Sequence, residues 1–182
     1  MSKNLYPYRR FPTIQAEPTS RAVRGTDAVK NKLHDLCLER DKSIITIECY
    51  PGVNDAEILS LFPKAALIIH ADELAIAPAE LDAKIEHELT DDNVFGIMTT
   101  WRLLDFYPSE ALCAAQKKIN AVESGLVIVY GVGASLVTRG DVLIYADLTR
   151  WEVQLRFRKG QDNWHTARHG LPQRAKYKRG YF

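Results

Sequence analysis

Asp72 and Asp147 each follow an apolar run, ALIIHA and VLIYA. A carboxylate at the end of a buried strand can orient a substrate hydroxyl, hold Mg2+ or act as a base. It can equally cap the next helix. Glu73 beside Asp72 makes capping alone the less economical account, so Asp72 is the candidate catalytic residue. Asp147 stays evenly divided between the two roles. Residues 50–55, YPGVND, join a β-branched run to a helix start. Free amides and the helix dipole there attract anions, so Gly52, Val53 and Asn54 are candidate phosphate donors. A Walker loop would add a lysine and a hydroxyl residue, and neither is present. Gly131, Gly133 and Ser135 lie in GVGAS, where two close glycines allow a ligand to approach the backbone. Arg150, Arg156 and Arg158 follow the last apolar run, and Arg156 and Arg158 are the candidates to neutralise phosphate.

Other constellations are weaker. His165 and His169 are spaced i, i+4, which on a helix could hold a metal, but no third ligand is near in sequence, so no metal is expected. No nucleophile elbow for a Ser/His/Asp hydrolase is present. Basic and aromatic residues alternate in the tail, a pattern that suits nucleic acid. A net charge of +1 argues against that partner.

Elements must position these groups. Short apolar runs at 44–48, 66–71, 126–130 and 141–146 read as buried strands. Helices are expected over 27–40, from Asn54 to Pro63, from Pro78 through Leu89, over 108–123 with Gly125 as the stop, and over 149–159. Residues 90–107 suggest one or two short buried helices, and AKYKRGYF an edge strand. Buried strands alternating with helices imply a three-layer α/β fold with a mostly parallel sheet, and ligands at the strands' carboxyl ends.

The 182 residues suit one substantial core, with residues 1–25 an extended N-terminal arm and 26–182 a single α/β domain. No apolar run reaches the roughly 18 residues of a membrane span, and the N-terminus lacks a signal peptide's apolar core. Cys37, Cys49 and Cys113 read as free thiols of a reducing cytoplasm. Charge is uneven: residues 1–26 carry five basic and one acidic side chain, and residues 150–182 carry nine and two. The middle is acidic. The ends either pack over this body or offer cations to a phosphorylated ligand.

The succession of strand, glycine loop, VLIYAD strand and arginine-bearing helix resembles the uridine-kinase-type P-loop fold. It departs from that pattern at the missing lysine and at Tyr130, where those kinases usually place a glutamate. More specifically, ECYPGV, DDNVFGIMT, VYGVGAS, YADLTRWEVQLRFR and KYKRGYF resemble the N-terminal domain of a long form of class I mannose-6-phosphate isomerase, over about residues 25–182. In that family a zinc-binding cupin portion follows and carries the isomerisation. The resemblance implies a setting in sugar-phosphate metabolism, with a cupin isomerase domain as a partner. The expected function is that of a degenerate kinase-like domain binding a phosphorylated small molecule, with Mg2+ and a nucleotide as the cofactor a kinase frame would use. Two alternatives stand beside it: an active nucleoside or sugar kinase with a noncanonical loop, and a noncatalytic docking module for an isomerase.

Overall fold

The computed structural model describes residues 22–37 and 40–180, together with Thr13. The expected N-terminal arm lies almost wholly outside the described residues. The β-branched run around Ile44–Ile47 forms β1 (Lys42–Cys49), and Leu126–Val129 form β3 (Gly125–Gly131). β3 is buried along nearly its whole length, as a central parallel strand must be. β2 (Leu67–His70) and β4 (Val142–Ala146) flank this pair. All pairings are parallel and the order is β2-β3-β1-β4. Register sets Ile45 between Ile128 and Val142, and Val129 beside Ile69.

Helices cover both faces. On one, Ile45, Ile47 and Ile128 pack with Phe62, with Leu33 of α1 (Thr26–Cys37) and with Ile58 of α2 (Asp55–Leu59). On the other, Val127, Val129 and Ile69 meet Leu112, Ala115 and Ile119 of α5 (Ser109–Ala121) and Val137 of α6 (Ala134–Val137). The connection leaving β1 passes β3 to reach β2, and the one leaving β3 passes β1 to reach β4. They diverge in opposite directions, so a crevice opens between the carboxyl ends of β1 and β3.

Several expectations need correction. The stretch from Pro78 to Leu89 breaks at Ile85 into α3 (Pro78–Lys84) and α4 (Glu86–Leu89). Residues 90–107 hold no buried helix but a single 3₁₀ turn, Leu103–Phe106, and Phe95 and Met98 are 70% and 64% exposed. A second 3₁₀ turn spans Ala71–Leu74. α5 ends in extended backbone at Val122, and Gly125 opens β3 rather than stopping the helix. The arginine-bearing helix is α7 (Arg150–Arg158), capped by Thr149. The tail forms a helix, α8 (Gln173–Arg179), not an edge strand.

The cations of the tail helix are held by partners from several distant segments. Lys176, 2% exposed, donates to the carbonyls of Gly160 and Gln161 and pairs with Asp162 at 2.9 Å. Lys178 donates to Thr90 and to the carbonyl of Asp92. Arg179 pairs with Asp82 at 2.7 Å, both side chains nearly buried. Thr166 Oγ1 and the Ala167 amide also donate to Asp82. Asp162 and Asp82 thus neutralise Lys176 and Arg179 within the fold.

Candidate functional site

Residues Tyr50–Val53 form a β-turn closed by the Val53 amide donating to the Tyr50 carbonyl at 3.1 Å. Pro51 presets the first corner, and Gly52, at φ +99°, takes the left-handed second corner of a type II turn. The Val53 donor is therefore engaged in the turn. Asn54 caps α2 by accepting the Glu57 amide at 3.2 Å. What the turn presents is an acceptor: the Gly52 carbonyl receives Arg156 Nη1 at 2.6 Å and Gln161 Nε2 at 3.3 Å.

The second glycine loop does bind anions, and they are the chain's own. Its amides form a nest, in which successive N–H groups converge on one concavity. Gly133 and Ser135 donate to the two oxygens of Glu48 at 2.6 and 2.8 Å. Val132 donates to Asp72 Oδ1 at 2.7 Å. Glycine is required here by proximity: a Cβ on Gly131 would lie 2.6 Å from Asp72 Oδ1, and one on Gly133 would lie 2.8 Å from the Tyr107 ring. The Tyr107 hydroxyl donates to the Val132 carbonyl at 2.6 Å. Burial, reinforced by Asp72 and Glu48, raises the Tyr107 pKa far above that of an ordinary phenol. Trp164 Nε1 donates to Asp72 Oδ2 at 2.8 Å, so both Asp72 oxygens are held.

His70 completes the cluster. Its ring lies flat on Tyr130, with centroids 4.5 Å apart. Nε2 stands 3.5 Å from Asp55 and 3.6 Å from Asp72, and Nδ1 stands 3.8 Å from Glu73. These are charge contacts longer than hydrogen bonds, and Nε2 has no hydrogen-bond partner. Asp72 foremost, with Asp55 and Glu73, holds the His70 pKa above its ordinary value against the opposing effect of burial. Burial raises Asp55, and Asp72 adds to the rise. Burial pushes Cys49 up to about 11 and Tyr130 up to about 12. The arrangement is an acid-rich crevice with one imidazole, suited to hydroxyl and proton-sharing contacts. Among the described residues no group of three or more His, Cys, Asp or Glu side chains is placed to hold a metal ion.

A neighbouring cleft of about 110 Å³ lies between the Tyr50–Val53 turn and helices α7 and α8. Gly52, Arg150, Arg156, Asn163, Trp164 and Tyr177 line it. Arg156 Nε also pairs with Glu152 at 2.9 Å. Arg150 Nε donates to the Tyr177 hydroxyl at 3.1 Å, and Arg150 foremost lowers the Tyr177 pKa. Trp164 joins the cleft to the crevice, because its ring lines one and its nitrogen holds Asp72 in the other.

The structure thus gathers Asp72, Gly131, Gly133 and Ser135 in the crevice, and Gly52 and Arg156 in the cleft. Arg158 stands apart, stacked over Trp151. Asp147 accepts the amide of the next residue, Leu148. His165 and His169 do not share a helix: His165, at φ +48°, contacts the Ile76 carbonyl and His169 pairs with Asp162. Sequence reasoning passed over Glu48, His70, Tyr107 and Trp164. Glu48 and His70 carried a usable signal, since each ends a buried strand. Tyr107 and Trp164 carried none, because they arrive from distant segments.

No curated protein and no solved structure matches this chain. Residues 25–182 match a family described as a domain of unknown function, DUF8485, and the chain belongs to that family.

Proposed function

We propose that this domain is a kinase-like P-loop frame that has lost its phosphoryl-transfer loop and binds a phosphorylated small molecule, a nucleotide or a sugar phosphate. The meeting of Arg156 with the Gly52 carbonyl carries the reading, because it brings a guanidinium to the turn where a kinase frame holds phosphate. Arg150 flanks the same cleft. Phosphate would be gripped by guanidinium groups rather than by loop amides, which are engaged by Glu48 and Asp72. Asp72 and His70 would receive hydroxyls of the same ligand, with Trp164 as the shared wall.

The residues do not fit Mg2+ and a nucleotide held for transfer. The turn has no lysine, and α2 opens on Asp55 rather than on a hydroxyl residue. No transfer step is assigned. The free thiols of Cys49 and Cys113 support a reducing compartment, and we take the cytoplasm as that compartment. Among the described residues no helix is long and apolar enough to cross a membrane.

Thermal-shift titration with ATP, ADP, UTP, mannose 6-phosphate and fructose 6-phosphate, with and without Mg2+, tests this. A ligand at about a hundredfold over its Kd adds roughly 2.7 kcal/mol of stability. Arg156→Ala should weaken the responding ligand at least about tenfold; unchanged affinity would sink the assignment.

A second reading, a docking module for a cupin-type sugar-phosphate isomerase domain, is favoured by the exposed apolar residues Val94, Phe95, Ile97, Met98 and Leu104. It expects a flat response across the panel, together with sedimentation as a complex with such an isomerase. Free sedimentation of the two proteins would dismiss it.

A further inference from the structure

Trp164 also borders a separate cavity of about 170 Å³ beneath α3, α4 and the Leu103–Phe106 turn. Its walls are Leu81, Leu89, Trp101, Phe106 and Trp164, and its polar side chains are Glu88, Thr99 and Arg179. Two of these carry a buried atom with no hydrogen-bond partner: Arg179 Nε and Glu88 Oε2. The Arg179 side chain is 7% exposed and otherwise well satisfied, since Nη1 donates to the Trp164 carbonyl and Nη2 to Asp82. An unpaired buried donor and an unpaired carboxylate oxygen on one aromatic-walled cavity are costly to leave alone. They also form the pattern of a ligand site, apolar walls with a few polar groups that fix orientation.

The charges around the cavity restrict what can enter. Asp82 balances the Arg179 charge. Lys84 Nζ already stands 4.4 Å from the centroid of the Trp101 ring and 5.4 Å from that of Phe106, so a second cation there meets repulsion. The Glu88 carboxylate repels an anion. A neutral ligand remains. One hydroxyl can accept from Arg179 Nε–H and donate to Glu88 Oε2, which meets both needs at once.

We propose that this cavity binds a small neutral ring compound through a group that both accepts and donates a hydrogen bond. The ring packs on Trp101, Phe106 and Trp164, and the polar group bridges Arg179 and Glu88. Such a ring can come from a carbohydrate-like polyol or from a planar heterocycle, and both present the required group. The cavity shares Trp164 with the arginine cleft while Trp101 belongs to the cavity alone, and the proposal stands whether or not the cleft binds phosphate.

The test uses the full chain and follows the three tryptophan indole N–H signals by NMR during titration with benzyl alcohol, and with toluene as the control lacking the hydroxyl. Trp151, 59% exposed on α7, serves as the internal reference. The expected result is saturable movement of the Trp101 and Trp164 signals with Trp151 fixed, and benzyl alcohol binding more tightly than toluene. Glu88→Ala should weaken benzyl alcohol about tenfold and leave toluene unchanged. Parallel titrations with myo-inositol and uracil separate the two sources, the tighter probe naming the class. Equal binding of benzyl alcohol and toluene to the unaltered chain would overturn the proposal. So would movement of Trp151 equal to that of the other two, or the absence of saturation, which would leave the cavity to ordered water.

Discussion

The carboxylate of Glu48 accepts the amide of Gly133 at 2.6 Å, which fills the glycine loop after β3 with a side chain from β1. Adjacent parallel strands are joined across their carboxyl ends by a charge that a ligand would otherwise supply. Replacing it should expose the loop's affinity for anions. Glu48→Ala leaves the Gly133 and Ser135 amides without their partner, and should cost about 2 kcal/mol in urea unfolding. The same variant should gain more stability from inorganic phosphate than the unaltered chain does. Equal phosphate responses in the two proteins would show that the nest is not an anion site.

Gly131 stands at φ +112°, with Asp72 and His70 against the place of a side chain. Gly131→Ala combines a left-handed backbone with a carbon 2.6 Å from the Asp72 carboxylate. It should destabilise the fold by at least about 2 kcal/mol, measured by the midpoint of denaturant unfolding. A Gly25→Ala control has the positive φ but open space around it, and should cost less.

Asp82 and Arg179 are 5% and 7% exposed and lie 2.7 Å apart. Burial works to raise the Asp82 pKa, but the Ala167 amide foremost, then Thr166 and the Arg179 guanidinium, hold it below its usual value. Removing one partner leaves a buried charge alone, so Asp82→Ala should cost about 3–5 kcal/mol and detach α8 from α3. Urea unfolding, with proteolysis near residue 173, would register both effects.

His70 has a folded pKa above its unfolded value of about 6.5. Protonation therefore favours the folded state. The stability it contributes is complete below about pH 6.5 and is lost as pH rises through the folded pKa. His70→Gln should flatten stability across that window while leaving the region below pH 5 unchanged in slope. A variant curve parallel to that of the parent through neutral pH would contradict the assignment.

Asp162 titrates in the opposite sense. Lys176 first, then His169, lowers its pKa from 3.8 to about 2. Its contribution is present above about pH 4 and lost as pH falls toward 2. Asp162→Asn should be less stable than the parent at neutral pH, with the gap closing on acidification toward pH 2. A constant gap over that range would refute the linkage.

Strand identity was legible from the sequence because apolar β-branched runs around Ile45, Ile69, Val129 and Ile144 have no other economical use. Burial was not: only β1 and β3 are deeply buried, and the edge strands β2 and β4 leave Ile68, Leu143 and Tyr145 exposed. The turn at Tyr50–Val53 was legible as punctuation, since Pro51-Gly52 dictates a type II corner locally. The site's wiring was not. Glu48, Asp72 and Trp164 meet only because β1, β2 and the 161–172 loop end at one place, and nothing in their spacing encodes that meeting.

The tail and residues 90–107 mark the limit more sharply. Lys176 and Lys178 read as solvated charge in a linear sequence, yet they are buried because carbonyls and carboxylates from Thr90, Asp92, Gly160 and Asp162 converge on them. Val94, Phe95 and Met98 read as core, yet they face outward because the sheet face they would cover is already filled by α5 and α6. The sequence by itself determined strands β1 to β4 and helices α1, α2, α5 and α7, since those choices rest on local sterics and the period of apolar residues. Only the tertiary structure decided which charges are neutralised inside and which apolar groups stay outside. Both depend on partners brought from afar, and on how much core surface remains to be covered.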